Sequence, residues 1–180
     1  MRSDALFFFF GLFVGVYGAS LNDLISALNT TDAIWLYNQS YYDNPEAPNR
    51  TCVYWHLKNL TTSSYLFDND YKQNGTYETE YNTTATLSQD SGNAMMTIFY
   101  KSEGKDSTNV SYKLNMWDPK DHCFILTRIN EKTEKDRCEL HLWQEQLLKL
   151  LKGGQTSCVQ KYKDLCGEQG PEVFSEHECM

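Results

Sequence analysis

A carboxylate, an imidazole and an indole occur at every second position near the end of the chain. They are Glu139, His141 and Trp143, and this spacing puts them on one face of a β-strand, with Cys138 and two leucines on the other. If the leucine face belongs to the interior, the polar face is ordinary wet surface. If the leucine face packs outward on another element, the three polar side chains point into the protein. There they could neutralise and orient a small cationic ligand.

The rest of the sequence favours binding over catalysis. It contains no G-x-S-x-G, no HExxH and no phosphate loop. The six cysteines include no CxxC pair and the four histidines are scattered, which disfavours a metal framework. The net charge of −8 disfavours nucleic-acid binding and suits a small cation. We therefore expect no enzyme activity, no cofactor, no metal and no nucleic-acid partner.

The beginning of the chain has the pattern of a secretory signal peptide. An apolar run over residues 5–16 precedes Gly18 and is too short to span a bilayer, so we expect cleavage after Gly18 and one domain over residues 19–180. An even number of cysteines is typical of disulfides in an exported protein. Secretion is also indicated by seven N-glycosylation sequons, whose asparagines must face solvent: Asn29, Asn38, Asn49, Asn59, Asn74, Asn82 and Asn109.

Alternating patterns between turn residues predict an all-β domain. A short helix at 20–28 comes first, and helical spacing returns at 144–152 and 156–167. The predicted strands between them are 33–41, 51–59, 63–68, 77–87, 94–101, 109–117, 122–129 and 137–143. Eight antiparallel strands and a late helix suit an up-and-down barrel with the helix packed outside. Such a barrel can enclose one small ligand.

The cysteines bear on which face of the last strand is inside. A bond from Cys138 to Cys158 or Cys166 in the late helix would turn its face outward. Glu139, His141 and Trp143 would then point into the barrel. An ionised Glu139 there is costly unless it is paired. Two interpretations of Glu139 are open. It is a hydrogen-bonded structural group, or it binds a ligand as a counter-charge or a hydrogen-bond anchor. For His141 the structural interpretation is preferred, and Trp143 is expected to form cavity wall.

The sequons orient two other strands. A solvent-facing Asn109 turns Val110, Tyr112, Leu114 and Met116 inward. A solvent-facing Asn82 puts Glu78 and Glu80 outside, if no bulge intervenes. On that condition the inward residues are Tyr77, Thr79 and Tyr81. The expected interior is apolar and aromatic, as in small-molecule pockets.

An ordered set of short elements resembles one known family. Asp32-Ala33-Ile34-Trp35 opens the first strand, Ser-Tyr-Tyr-Asp-Asn-Pro at 40–45 precedes the first cysteine, and an acidic turn precedes Cys123. Cys138-Glu139-Leu140 is similar to a late E-L-W strand. Together they resemble the tick salivary lipocalins, which include the tick histamine-binding proteins.

The resemblance implies disulfides and a ligand site. The implied pairs are Cys52–Cys179, Cys123–Cys158 and Cys138–Cys166. In the family, carboxylates and aromatic rings hold amines inside the barrel. By position, the implied ligand residues are Glu139, Tyr41 and Tyr112, with Tyr100 a looser match. Further candidates for the lining are Trp143, His141 and Trp35.

Departures from the family pattern bear on the ligand. Phe124 follows the cysteine where amine binders carry Asp, Asn44 stands where an acidic residue is usual, and His141 replaces the Trp of E-L-W. Only one carboxylate of the usual set is retained, and this disfavours a histamine binder with two sites. We expect a secreted, monomeric lipocalin without membrane contact that sequesters histamine or serotonin and so helps to evade host defence. The alternatives are a scavenger of leukotriene- or thromboxane-like lipids, a host-protein binder, or a haem binder through His141.

Overall fold

The computed structural model describes residues 18–42, 50–100, 108–129, 137–167 and 170–180. Most of the predicted signal peptide, the sequon Asn49 and the departure at Asn44 lie outside this part. Within the described residues there are eight strands and four helices. They are α1 (Leu21–Leu28), β1 (Ile34–Gln39), β2 (Thr51–Leu60), β3 (Ser64–Gln73), β4 (Thr76–Asp90), β5 (Asn93–Tyr100), β6 (Thr108–Asp118), β7 (Cys123–Ile129), β8 (Arg137–Trp143), α2 (Gln144–Leu151), α3 (Ser157–Cys166) and α4 (Glu176–Cys179). None of these helices could cross a membrane.

The strands close into a barrel. Each strand pairs antiparallel with the next, and β1 pairs with β8, so the sheet has no free edge. The predicted fold class is therefore confirmed. The strands β3 and β4 are longer than predicted because they meet at a tight turn. Asn74 and Gly75 occupy it with φ of 52° and 80°, as in a two-residue hairpin.

Helix α1 covers one end of the barrel. It starts at a capping box in which Ser20 and Asp23 exchange hydrogen bonds. Its buried residues Leu24, Ala27 and Leu28 join the core of the barrel. We call this the α1 end. The opposite end, where β1 ends and β2 and β8 begin, is called the far end.

The two longer late helices lie on the outer face of the barrel, and two disulfides tie α3 to it. Leu140 and Leu142 of β8 pack in an outer cluster that includes Leu147 of α2 and Tyr162 of α3. The cysteines form the three pairs that the resemblance implies: Cys52–Cys179, Cys123–Cys158 and Cys138–Cys166, with Cα–Cα distances of 5.2, 6.4 and 5.8 Å. The C-terminal segment contains α4, which carries Cys179 to Cys52 of β2.

A bulge in β4 overturns one predicted orientation. The β3–β4 register moves from Phe67↔Thr83 to Asn69↔Glu80, and Asn82 between them has φ of 56°. The strand therefore reverses its faces at this point. Tyr77 and Tyr81 were expected inside with Thr79, but they are 50% and 68% exposed. Thr79 donates to the outward Asp70 instead. The residues that turn toward the barrel are Glu78 and Glu80.

A second bulge affects β6. Val110, Tyr112 and Leu114 line the interior as predicted. The β6–β7 register then shifts between Leu114 and Met116. As a result Met116 packs in the outer cluster and Trp117 joins the inner one. The prediction of Met116 inside was therefore wrong.

The sequons differ in exposure. Five of the asparagines are exposed: Asn29, Asn59, Asn74, Asn82 and Asn109. The side-chain nitrogen of Asn38 is buried. A glycan attaches at this atom, so the geometry disagrees with glycosylation at Asn38.

A candidate ligand site inside the barrel

The centre of the candidate site is the carboxylate of Glu139, whose residue is 4% exposed. Because β8 pairs with β1 at Gln39↔Glu139, the chain just after β1 lies beside it. From there the hydroxyl of Tyr41 donates to Oε1. Nε2 of His141 lies 2.9 Å from Oε2. The structure thus brings Glu139, Tyr41 and His141 together, and Tyr112 of β6 completes the group.

The surroundings keep Glu139 ionised. Burial alone would raise its pKa, but hydrogen bonds from His141, Tyr41 and Tyr112, together with the charge of His141, hold the pKa below its ordinary value. Burial raises the pKa of Tyr112 well above its ordinary value, and the charge of Glu139 adds to this. The arrangement is therefore a carboxylate that accepts from tyrosine hydroxyls, and the raised pKa of Tyr112 keeps its hydroxyl protonated.

Aromatic rings enclose His141. Its ring lies parallel to that of Phe124 at 5.0 Å and tilted against that of Trp55 at 4.5 Å. The residue is 1% exposed, and its Nδ1 has no hydrogen-bond partner in the described part of the chain. Phe124, which stands where the family's amine binders carry an acid, thus forms wall beside the carboxylate site.

Cationic side chains lie toward the far end of the barrel. The guanidinium groups of Arg128 and Arg137 lie 5.7 and 5.5 Å from the ring of Tyr41. Arg50 pairs with Glu80 at 2.8 Å and lies 3.8 Å above the ring of Tyr71.

The other predicted ligand residues are distributed along the barrel. Tyr100 ends β5, is partly buried against the inner core and interacts electrostatically with Tyr112. Trp143 also faces inward, but at the α1 end, where its Nε1 donates to the carbonyl of Ala27 at 2.9 Å.

Trp35 faces away from the interior. It packs in the outer cluster, 4.5 Å from the ring of Tyr54 and 5.6 Å from that of Phe174. It pairs with the outward Leu142 of β8, so its side chain shares the outer face. The expectation that Trp35 lines the ligand site was therefore wrong.

Sequence reasoning missed three inward residues of the site. Trp55 of β2 and Tyr65 of β3 belong to the inner core, and Asn69 of β3 faces inward across from Glu80. The signal was present in β2, where Trp55 and Leu57 alternate with the more polar Tyr54, His56 and Lys58. No group of described histidine, cysteine or acidic residues is arranged to hold a metal ion.

A closed eight-stranded antiparallel barrel with an inward polar cluster and a helix packed outside defines a lipocalin-type binding protein. Among solved structures, Japanin from Rhipicephalus appendiculatus bound to cholesterol matches with a TM-score of 0.55 and 13% identity, covering 84% of this chain and 97% of Japanin. Residues 18–180 match the family model described as Tick histamine binding protein. The chain therefore belongs to the tick histamine-binding protein family. A comparison with curated protein sequences gave no match.

Proposed function

We propose that this protein is secreted and sequesters a small host amine, such as histamine or serotonin, inside its barrel, and so helps to evade host defence. The observation that carries the proposal is Glu139. It is a buried carboxylate with a lowered pKa in an aromatic interior. The family description points to the same ligand class.

Glu139 has the chemistry to hold an ammonium group. An ionised carboxylate offers about four acceptor positions, and the hydrogen bonds from Tyr41, His141 and Tyr112 use three of them. A bound ammonium can take a remaining position and gain a charge-assisted hydrogen bond. The rings of Tyr112 and Tyr100 would add cation–π attraction.

The test is calorimetry with histamine and serotonin on the protein and on Glu139→Gln. Glutamine keeps the shape and an acceptor but removes the charge. We expect amine affinity to fall at least about 30-fold, corresponding to about 2 kcal/mol for an unpaired buried charge. Glu145→Gln is the matched control, because Glu145 lies on α2 outside the barrel and contacts His122. Unchanged amine affinity in Glu139→Gln would refute the proposal.

A second candidate ligand is a lipid mediator with a carboxylate. Arg128 and Arg137 near the ring of Tyr41 favour it, because they could meet an anionic head group at the far end. Japanin, which shares the fold, was solved with cholesterol. Native mass spectrometry against amines and fatty-acid-derived mediators separates the two. Retention of the lipids alone would favour the second candidate.

Secretion has its own test. Expression in eukaryotic cells should yield a product in the medium that begins at Ala19. Enzymatic deglycosylation should lower its mass. An intracellular product that retains residues 1–18 would contradict this part of the proposal.

A further inference from the structure

Three buried polar atoms inside the barrel have no hydrogen-bond partner among the described residues. They are Nδ1 of His141, the hydroxyl oxygen of Tyr65 and Oδ1 of Asn69. The residues are 1%, 0% and 2% exposed. Leaving such an atom unpaired costs about 1–3 kcal/mol, so three in one region call for an explanation.

The three residues surround one indole. Trp55 lies 4.5 Å from the ring of His141 and 6.5 Å from the ring of Tyr65. Asn69 is its direct partner across the β2–β3 pair. Phe67 adds an apolar wall 5.2 Å from the indole. The three residues that carry the unpartnered atoms are therefore neighbours of one inward indole.

The chemistry of these atoms calls for a hydrogen-bond donor. Asn69 donates from Nδ2 to Glu80 at 2.8 Å, which fixes its Oδ1 as an acceptor. His141 faces the Glu139 carboxylate through Nε2, which leaves Nδ1 as the ring atom that can pair with a ligand. The Tyr65 hydroxyl can donate or accept. The group would be satisfied by a hydroxyl or N–H, whereas an ether or an apolar group supplies no donor.

We propose that Trp55, Tyr65, Asn69 and Nδ1 of His141 form a ring-binding subsite that selects arylalkylamines with a hydroxyl or N–H on the ring. This rests on the proposed function, in which Glu139 holds the ammonium. His141 connects the two halves, because it contacts Glu139 through Nε2 and Trp55 through its ring face.

The first test uses ligand pairs on the unaltered protein. Calorimetry compares tyramine with phenethylamine, and serotonin with tryptamine and 5-methoxytryptamine. Each hydroxylated amine should bind about tenfold tighter than its parent, because it pairs atoms that otherwise stay unsatisfied. The methoxy compound cannot donate from that position and should not bind tighter than tryptamine.

The second test assigns the preference to residues. Tyr65→Phe should reduce the serotonin-to-tryptamine affinity ratio several-fold, about the effect of one hydrogen bond. Tyr162→Phe is the matched control. It removes a hydroxyl from a buried tyrosine of the outer cluster, so it should leave every ratio unchanged.

The outcomes separate the two proposals. If no amine binds, the proposed function fails and the subsite fails with it. If amines bind through Glu139 but hydroxylated and parent compounds agree within about twofold, only the subsite is overturned. The same holds if Tyr65→Phe leaves the ratio intact, because the preference would then come from elsewhere.

Discussion

Replacing Tyr41 by phenylalanine should make the stability of the protein less sensitive to acid. The hydroxyl of Tyr41 donates to the buried carboxylate of Glu139 and helps to lower its pKa. Phenylalanine removes this donor but keeps a ring for the nearby groups of Arg128 and Arg137. The substitution therefore addresses the hydrogen bond with little change in packing.

The sign of this effect on the free energy of unfolding follows from the linkage between protonation and folding, and its size follows from the strength of the hydrogen bond. Because the folded-state pKa of Glu139 is below its unfolded value, its ionised form stabilises the fold above the unfolded pKa. This stabilisation is lost as pH falls through the folded pKa. A hydrogen bond to a charged acceptor contributes about 1.5–3 kcal/mol, and one between neutral groups about 0.5–1.5 kcal/mol. Tyr41→Phe should therefore cost about 1 kcal/mol more near pH 7 than at acid pH below the folded-state pKa of Glu139.

The assay is urea unfolding followed by tryptophan fluorescence, measured at a series of pH values from 7 down into acid. Asp68, Asp118 and Asp121 also have lowered pKa values, so both proteins lose stability in acid. That loss cancels in the difference between them. Tyr65→Phe provides the control, because burial alone raises the pKa of this tyrosine and Glu139 does not contribute. An equal cost of Tyr41→Phe at both ends of the range would show that the bond does not depend on the charge of Glu139.

Two further perturbations test the frame around the site. Replacing Cys138 and Cys166 by alanine opens a disulfide across 28 residues and should lower the unfolding free energy by about 3–4 kcal/mol in urea. A loss below about 1 kcal/mol would contradict the loop-entropy estimate. Trp143→Phe removes the bond to the carbonyl of Ala27 and should cost about 1 kcal/mol in the same assay. Amine affinity should change less than about twofold, because Trp143 lies at the α1 end; a larger loss would bring it into the site.

The orientation of β8 was accessible from sequence because two independent signals agreed. The period of two separated Glu139 and His141 from the leucines, and a bond from Cys138 to the late helix settled which set faces inward. That bond itself came from the family resemblance, since spacing left the partner open. Tyr41 and Tyr112 also came from the resemblance, and both lie beside the carboxylate.

The bulges were not accessible in the same way. A bulge adds one residue to one strand, and every orientation counted beyond it is reversed. In β4 the reversal occurs at Asn82, a residue type that tolerates positive φ but does not require it. The pattern of the strand alone therefore could not distinguish a regular strand from a bulged one. Tyr81 and Met116 were misplaced for this reason.

The charge balance inside the barrel bears on how many amines it can hold. At the position of the family's second acid, Phe124 stacks parallel to His141. At the far end, Glu80 already pairs with Arg50 at 2.8 Å and accepts from Asn69. A second ammonium placed there would have to displace a guanidinium, which is always charged and forms a well-directed ion pair. Glu78, the other carboxylate on the inner face of β4, is exposed to solvent and accepts from Tyr71. Among the described residues, Glu139 is thus the buried inward carboxylate with acceptor capacity left for a ligand cation. The proposed function therefore implies one amine per barrel.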